Sequence, residues 1–265
     1  MYLILLVAAV GAGCLLAVQA SVNQQLNKAV GSPYGASTVQ LSIAATALAF
    51  LAVATGAIGA VTMAPRVEPA WLLLGGVASP LYITAGILLF PRLGAVTAVG
   101  LFVTGQVFSS LALDTFGLLA VTTQPLSVGI VLGAAAVLVG ITVVVRGQQP
   151  ARQPVVAGSA TRTTPHAPPT PSSAQSGWIV MGLLAGAVLP LQGAVNAELK
   201  QQVDAPLAVG TISFVVATAT IAIVLAVMLA LRRTPVPRMR PLASMPWWGW
   251  LGGLCAAAYV TATFC

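Results

Sequence analysis

"LLAVQASVNQQL" (Leu15–Leu26) and "LPLQGAVNAEL" (Leu189–Leu199) decide how this chain is built. Each is an apolar stretch with a Gln and an Asn four residues apart: Gln19 and Asn23, then Gln192 and Asn196. On a helix that spacing stacks both amides on one face, a turn apart. Leaving such a group without a partner in an apolar medium costs about 2–7 kcal/mol, so the repetition of the pair needs an explanation.

Working outward, the match continues. At an offset of 173, Ala12, Gly13, Leu16, Val22, Leu26, Val30, Pro33 and Thr38 also meet identical residues, up to Thr211. At a slightly larger offset "WLLLGGVASPLYITA" (Trp71–Ala85) parallels "WGWLGGLCAAAYVTA" (Trp248–Ala262), aligning Gly75 and Gly76 with Gly252 and Gly253, and Tyr82 and Thr84 with Tyr259 and Thr261. Apolar helices match by chance easily; amides, tyrosines and prolines in register do not. The chain is a duplication.

Of 265 residues, 58% are hydrophobic and only 6% charged, against roughly 25% charged in soluble domains. Apolar runs of about the 20 residues a bilayer crossing needs recur eight times. They are Leu3–Leu26, Tyr34–Val61, Trp71–Phe90, Leu93–Leu113, Leu126–Val145, Trp178–Leu199, Leu207–Leu231 and Trp247–Cys265. The expected fold is therefore an all-α, polytopic transmembrane helical bundle. The first span lacks the basic flank of a secretory signal and reads as a retained helix.

Residues 1–146 form a first five-helix transmembrane unit, 147–176 a flexible cytoplasmic linker rich in Pro, Ser and Thr, and 177–265 a second unit with its first three helices only. Five is odd, so the second copy enters the membrane from the opposite side, making the repeats inverted. Charge agrees. With the N-terminus outside, Lys28, Arg92, Arg146, Arg152, Arg162, Arg232, Arg233, Arg238 and Arg240 are inside, and only Arg66 and Lys200 outside. The net charge of +7 thus sets orientation, and no nucleic-acid partner is expected. Cys265 aligns near Leu88, so a counterpart of Pro91–Arg146 is missing. A truncated chain is the expectation; completion by association with another copy is the alternative.

"LAVQASVNQQLNKAVGSPYGA" (Leu16–Ala36) followed by "GQVFSSLALDTFGLL" (Gly105–Leu119) resembles the YdcZ-type branch of the drug/metabolite transporter superfamily. That branch is similar in its five-helix unit and in a Gln-x-x-x-Asn pair near the end of helix one. It also has a Gly-Gln in helix four, here Gly105–Gln106, and an Asp-x-Phe-Gly beyond it, here Asp114–Gly117. The resemblance covers nearly all of the chain except the linker. It implies transport across the cell membrane without naming a substrate.

Two readings of the polar residues stand open. Gln19, Asn23, Gln192 and Asn196 either line a central cavity at the repeat interface or act as interhelical glue, with Asn23 also placed to cap its helix. Tyr82 and Tyr259, mid-span, face inward to a cavity or to packing. Gln106, with Thr104, Ser109 and Ser110, adds polar groups to span four, and Asp114 at its outer end is either solvated or a gating or coupling group. Gly129 and Gly133, like Gly182 and Gly186, have the spacing for close helix packing, and span five could also support a homo-oligomer contact. Cys14, Cys255 and Cys265 read as buried small hydrophobes, and the single His166 as a solvated linker residue.

No phosphate loop, metal cluster, paired carboxylate or nucleophile–His arrangement occurs, so no enzyme activity, metal or cofactor is expected. The deep membrane also lacks an acidic residue, which disfavours coupling through a buried carboxylate. The expected function is alternating-access transport of a small polar or amphipathic organic solute, with membrane lipids as the surroundings. The competing reading is a non-transporting assembly component or inactive fragment.

Overall fold

The structure, a computed structural model, describes residues 2–147, 173–239, 242 and 244–264. Most of the expected linker, with His166, Arg152 and Arg162, and the terminal Cys265 lie outside these. Among the described residues there are nine α-helices and no strand. They are α1 (Tyr2–Val30), α2 (Pro33–Ala54), the short α3 (Ile58–Val61), α4 (Ala78–Leu93), α5 (Ala95–Phe116), α6 (Val128–Gly147), α7 (Ser173–Val203), α8 (Pro206–Ala230) and α9 (Leu251–Phe264). The fold is an all-α polytopic bundle.

Helix boundaries follow local chemistry. Gly31, at φ 74°, closes α1. Ser32 then caps α2, its Oγ accepting from the Gly35 N–H at 3.2 Å, with Pro33 in the first turn where a missing N–H costs nothing. Gly94 alone joins α4 to α5, and Gly117, in the left-handed region, ends α5.

Three expectations need correction. The run Tyr34–Val61 is not one span: α2 stops at Ala54, and Gly56 at φ 78° turns the chain before α3. The third span of each unit opens as a 3₁₀ helix, Ala70–Val77 in the first and Trp247–Trp250 in the second. Helix α7 starts at Ser173, taking in the last residues assigned to the linker. Among the described residues six segments are long and apolar enough to cross a membrane, and the 29 residues of α1 have the length as well. Trp247–Trp250 and α9, 4 and 14 residues, together reach roughly 29 Å, enough for a hydrocarbon core about 30 Å thick.

The halves pack into each other more than onto themselves. Helix α5 makes its main contact with α7, α2 with α8, α1 with α9, and α4 with α7. Since α7 and α9 are the repeat counterparts of α1 and α4, the α1–α9 and α4–α7 contacts are one interface seen twice. The ends pair likewise. At one end the Arg238 N–H donates to the Val30 carbonyl at 2.9 Å, and Ser32 and Thr234 hydroxyls lie 2.9 Å apart. At the other, Gln202 receives the Glu68 N–H at 3.1 Å and returns a bond to the Glu68 carbonyl at 2.6 Å. Lys28 thus shares an end with the loop after α8, and Lys200 with the loop holding Arg66.

Lipid is as apolar as a leucine side chain, so helix association here rests on close packing and polar bonds rather than on escape from water. Glycines make the approach. A methyl group at Gly76 would overlap the Ser213 carbonyl, one at Gly105 that of Leu183, and one at Gly186 that of Phe102. Outward, Phe50, Val96 and Phe116 are exposed, facing the surroundings a lipid would fill. Helix α6 buries no residue and leans mainly on α5.

Candidate functional site

The Gln-x-x-x-Asn pairs point inward from α1 and α7, and all four side chains are buried. In the second half the pair is bonded to hydroxyls. Ser79 donates to Gln192 Oε1 at 2.9 Å, Gln192 Nε2 donates to Ser213 Oγ at 3.4 Å, and Asn196 Nδ2 to the same oxygen at 3.2 Å. Three helices, α4, α7 and α8, are thereby tied together. Gly75 lies directly against Asn196 Oδ1, which has no hydrogen-bond partner.

In the first half the backbone geometry repeats. Gly252 stands against Asn23, where a methyl would come within 2.6 Å of Oδ1, and Gly253 against the Gln40 carbonyl, at 2.7 Å. The polar chemistry differs. The counterpart of Ser79 is Ala256, and that of Ser213 is Gln40. No hydroxyl is present to serve the pair, and Gln19 Oε1 and Asn23 Oδ1 are buried without partners. Gln24, one residue on, fastens α1 to α4 by donating to the Gly86 and Ile87 carbonyls at 3.1 and 3.4 Å.

Between the halves lies a cavity of about 530 Å³ that collects Gln19, Gln192, Asn196, Tyr82, Tyr259 and Gln106. A smaller one of about 280 Å³ shares Gln19, Tyr82 and Gln106 and adds Asn23. Tyr82 is held by the ring of Phe102, centroids 5.0 Å apart. Six of the seven residues singled out for binding therefore face one space, and the seventh faces its neighbour. Asp114 does not join them. It lies on α5 two turns past Gln106, half-buried, its carbonyl accepting the Gln124 N–H at 2.8 Å.

Other expectations divide. Gly182 and Gly186 pack against Leu101 and Phe102 of α5, whereas Gly129 has only Ser127 of its own segment nearby and Gly133 meets nothing. Cys255 is buried, but Cys14 is exposed on α1 and is no core residue. Ser79, Ser213 and Gln40 carry no sequence signal, and Lys200 is read there only for its charge, though Ser79 and Lys200 line the cavity and Ser213 ties its wall. They differ between the halves, and a search for identities in register passes over such positions.

A family model described as "Putative inner membrane exporter, YdcZ" matches residues 4–143 and 177–265. No curated protein and no solved structure matches.

Proposed function

The chain belongs to the YdcZ-type branch of the drug/metabolite transporters, a family of inner membrane exporters, and from this premise we propose that it moves a small polar or amphipathic organic solute by alternating access. It is a multi-pass protein of the cytoplasmic membrane. The observation that carries the proposal is the cavity lined from both halves, with amides from α1 and α7 and tyrosines from α4 and α9 on the same space. Neutral donors and acceptors beside aromatic faces suit a solute with both polar and apolar parts. Two units of opposite orientation can exchange conformations, opening that space to each side in turn. The division into units 1–146 and 177–265 and an external N-terminus belong to the same proposal, supported by the shared ends of the bundle and the basic residues gathered at one of them.

A solute bound to the folded state raises its apparent stability. Small polar and amphipathic compounds are therefore screened by thermal unfolding of the detergent-purified chain, and those that stabilise it are tested for uptake into or release from proteoliposomes. Asn23→Leu and Asn196→Leu, close in shape to the native side chains, should abolish transport while folded protein still reaches the membrane. Loss of folding without a transport-specific defect would instead make the amides structural ties. The hydrogen bonds of Gln192 and Asn196 favour that second reading for the α7 pair alone.

A further inference from the structure

Besides Thr97 on α5, four side chains of the first half hold polar atoms that are buried and without partners. They are Gln19 Oε1, Asn23 Oδ1 and Asn27 Oδ1 on α1, and both Oε1 and Nε2 of Gln40 on α2. Gln40 is fully buried, and Asn23 and Gln19 are only 3% and 5% exposed. Gln19, Asn23 and Asn27 succeed one another at four-residue steps, so they line one face of α1. Gln40 occupies the register of Ser213, and its carbonyl meets Gly253 as that of Ser213 meets Gly76. In the second half that register lies between Gln192 and Asn196, since Ser213 bonds to both. Asn23 Oδ1 and the Gln40 carbonyl face the adjacent residues Gly252 and Gly253, so α1 and α2 bring these amides to the same turn at the start of α9.

The unmatched atoms are four oxygen acceptors against one nitrogen donor. A neighbour that completes them must bring positive charge or hydrogen-bond donors, and it must be small, because Gln40 lines neither cavity. The repeat offers a parallel: Asn27 corresponds to Lys200, so the second half carries a cation of its own at that register. The geometry points to a binding site for a monovalent cation of sodium size, coordinated by the amide oxygens of Gln19, Asn23 and Gln40, with Asn27 a turn further along. Hard cations take oxygen ligands. A divalent ion is disfavoured because no carboxylate belongs to the cluster to offset its second charge. Along this path Lys28 follows Asn27 and the Arg238 guanidinium lies over Gly31, both exposed at the end of the bundle, where solvent screens them.

The site stands whether or not the chain moves a solute, and its test needs none. The full chain, purified in detergent, is melted in increasing sodium chloride and in N-methylglucamine chloride at matched ionic strength. Sodium should raise the unfolding temperature along a saturating curve, and the bulky organic cation should not. Gln40→Ser installs the hydroxyl that closes the second half, so the variant should stay folded and lose the sodium response. Gln40→Leu, which removes the amide outright, should also lose it, and Ser213→Ala should keep it. Equal melting in the two salts, as a trapped water would give, overturns the site. A sodium response surviving in folded Gln40→Ser protein overturns it too.

Discussion

Asn23 and Asn196 are the same residue in the same register, yet only Asn196 finds a hydroxyl. The difference traces to two substitutions between the halves, Ser79 against Ala256 and Ser213 against Gln40. Moving a hydroxyl across should therefore move stability with it. Ala256→Ser places an O–H where Ser79 has one, beside Gln19 Oε1, and the large cavity that Ala256 lines leaves room for it. Membrane hydrogen bonds average about 0.6 kcal/mol, so thermal unfolding in sodium-free detergent should show a gain of that order. Ser79→Ala should show a comparable loss, by stranding Gln192 Oε1. The amide pairs could be read in the sequence, because four-residue spacing has only one meaning on a helix. Which pair was satisfied could not, because the partners come from other helices, Ser213 of α8 at 17 and 21 residues and Ser79 of α4 at 113, and nothing in the local text links them.

Among the helices, α7 and α1 are repeat counterparts with unequal neighbours. Gly186 on α7 is pressed to the backbone of Phe102, while its counterpart Gly13 on α1 has nothing within reach of an added methyl group. Gly186→Ala should force α5 and α7 apart at a cost of about 1–3 kcal/mol. Gly13→Ala should be neutral or should stabilise α1 by up to about 1 kcal/mol through better helix propensity. Melting temperatures of the two variants, measured side by side, check this. The same contrast marks the limit of pattern reading. Gly182 and Gly186 share their spacing with Gly129 and Gly133, but only the first pair meets a helix. Spacing says that a face is smooth; only the fold says what lies on it. The 3₁₀ openings before α4 and α9 were hidden for a related reason, since a run apolar on all sides has no period to reveal a tightened helix.

At the scale of the molecule, the division of the text and the division of the packing do not coincide. Composition breaks after Arg146, and the repeats fall on either side of the break, yet the main partner of α5 is α7 and that of α2 is α8. Each half is the other's core. Residues 1–147 and 173–265 made as separate chains in one cell should therefore purify together, and either one made alone should be degraded or aggregate. Recovery of a stable, monodisperse single half would show that the cross-contacts are dispensable.

That interlocking also imposes an order in time. When Gly147 has been synthesised, Gly75, Gly76, Ser79 and Gly105 face the positions that α7 and α8 will fill, and neither has yet been made. From Gly147 to Ala230 the ribosome must add 83 residues (230 − 147), which takes roughly 4–17 s at about 5–20 residues per second. For that interval lipid or an insertion chaperone must stand in for protein against the glycine faces. The intervening segment is therefore a clock as well as a tether. Lengthening it should lower the yield of folded protein while leaving the melting temperature of the finished molecule unchanged.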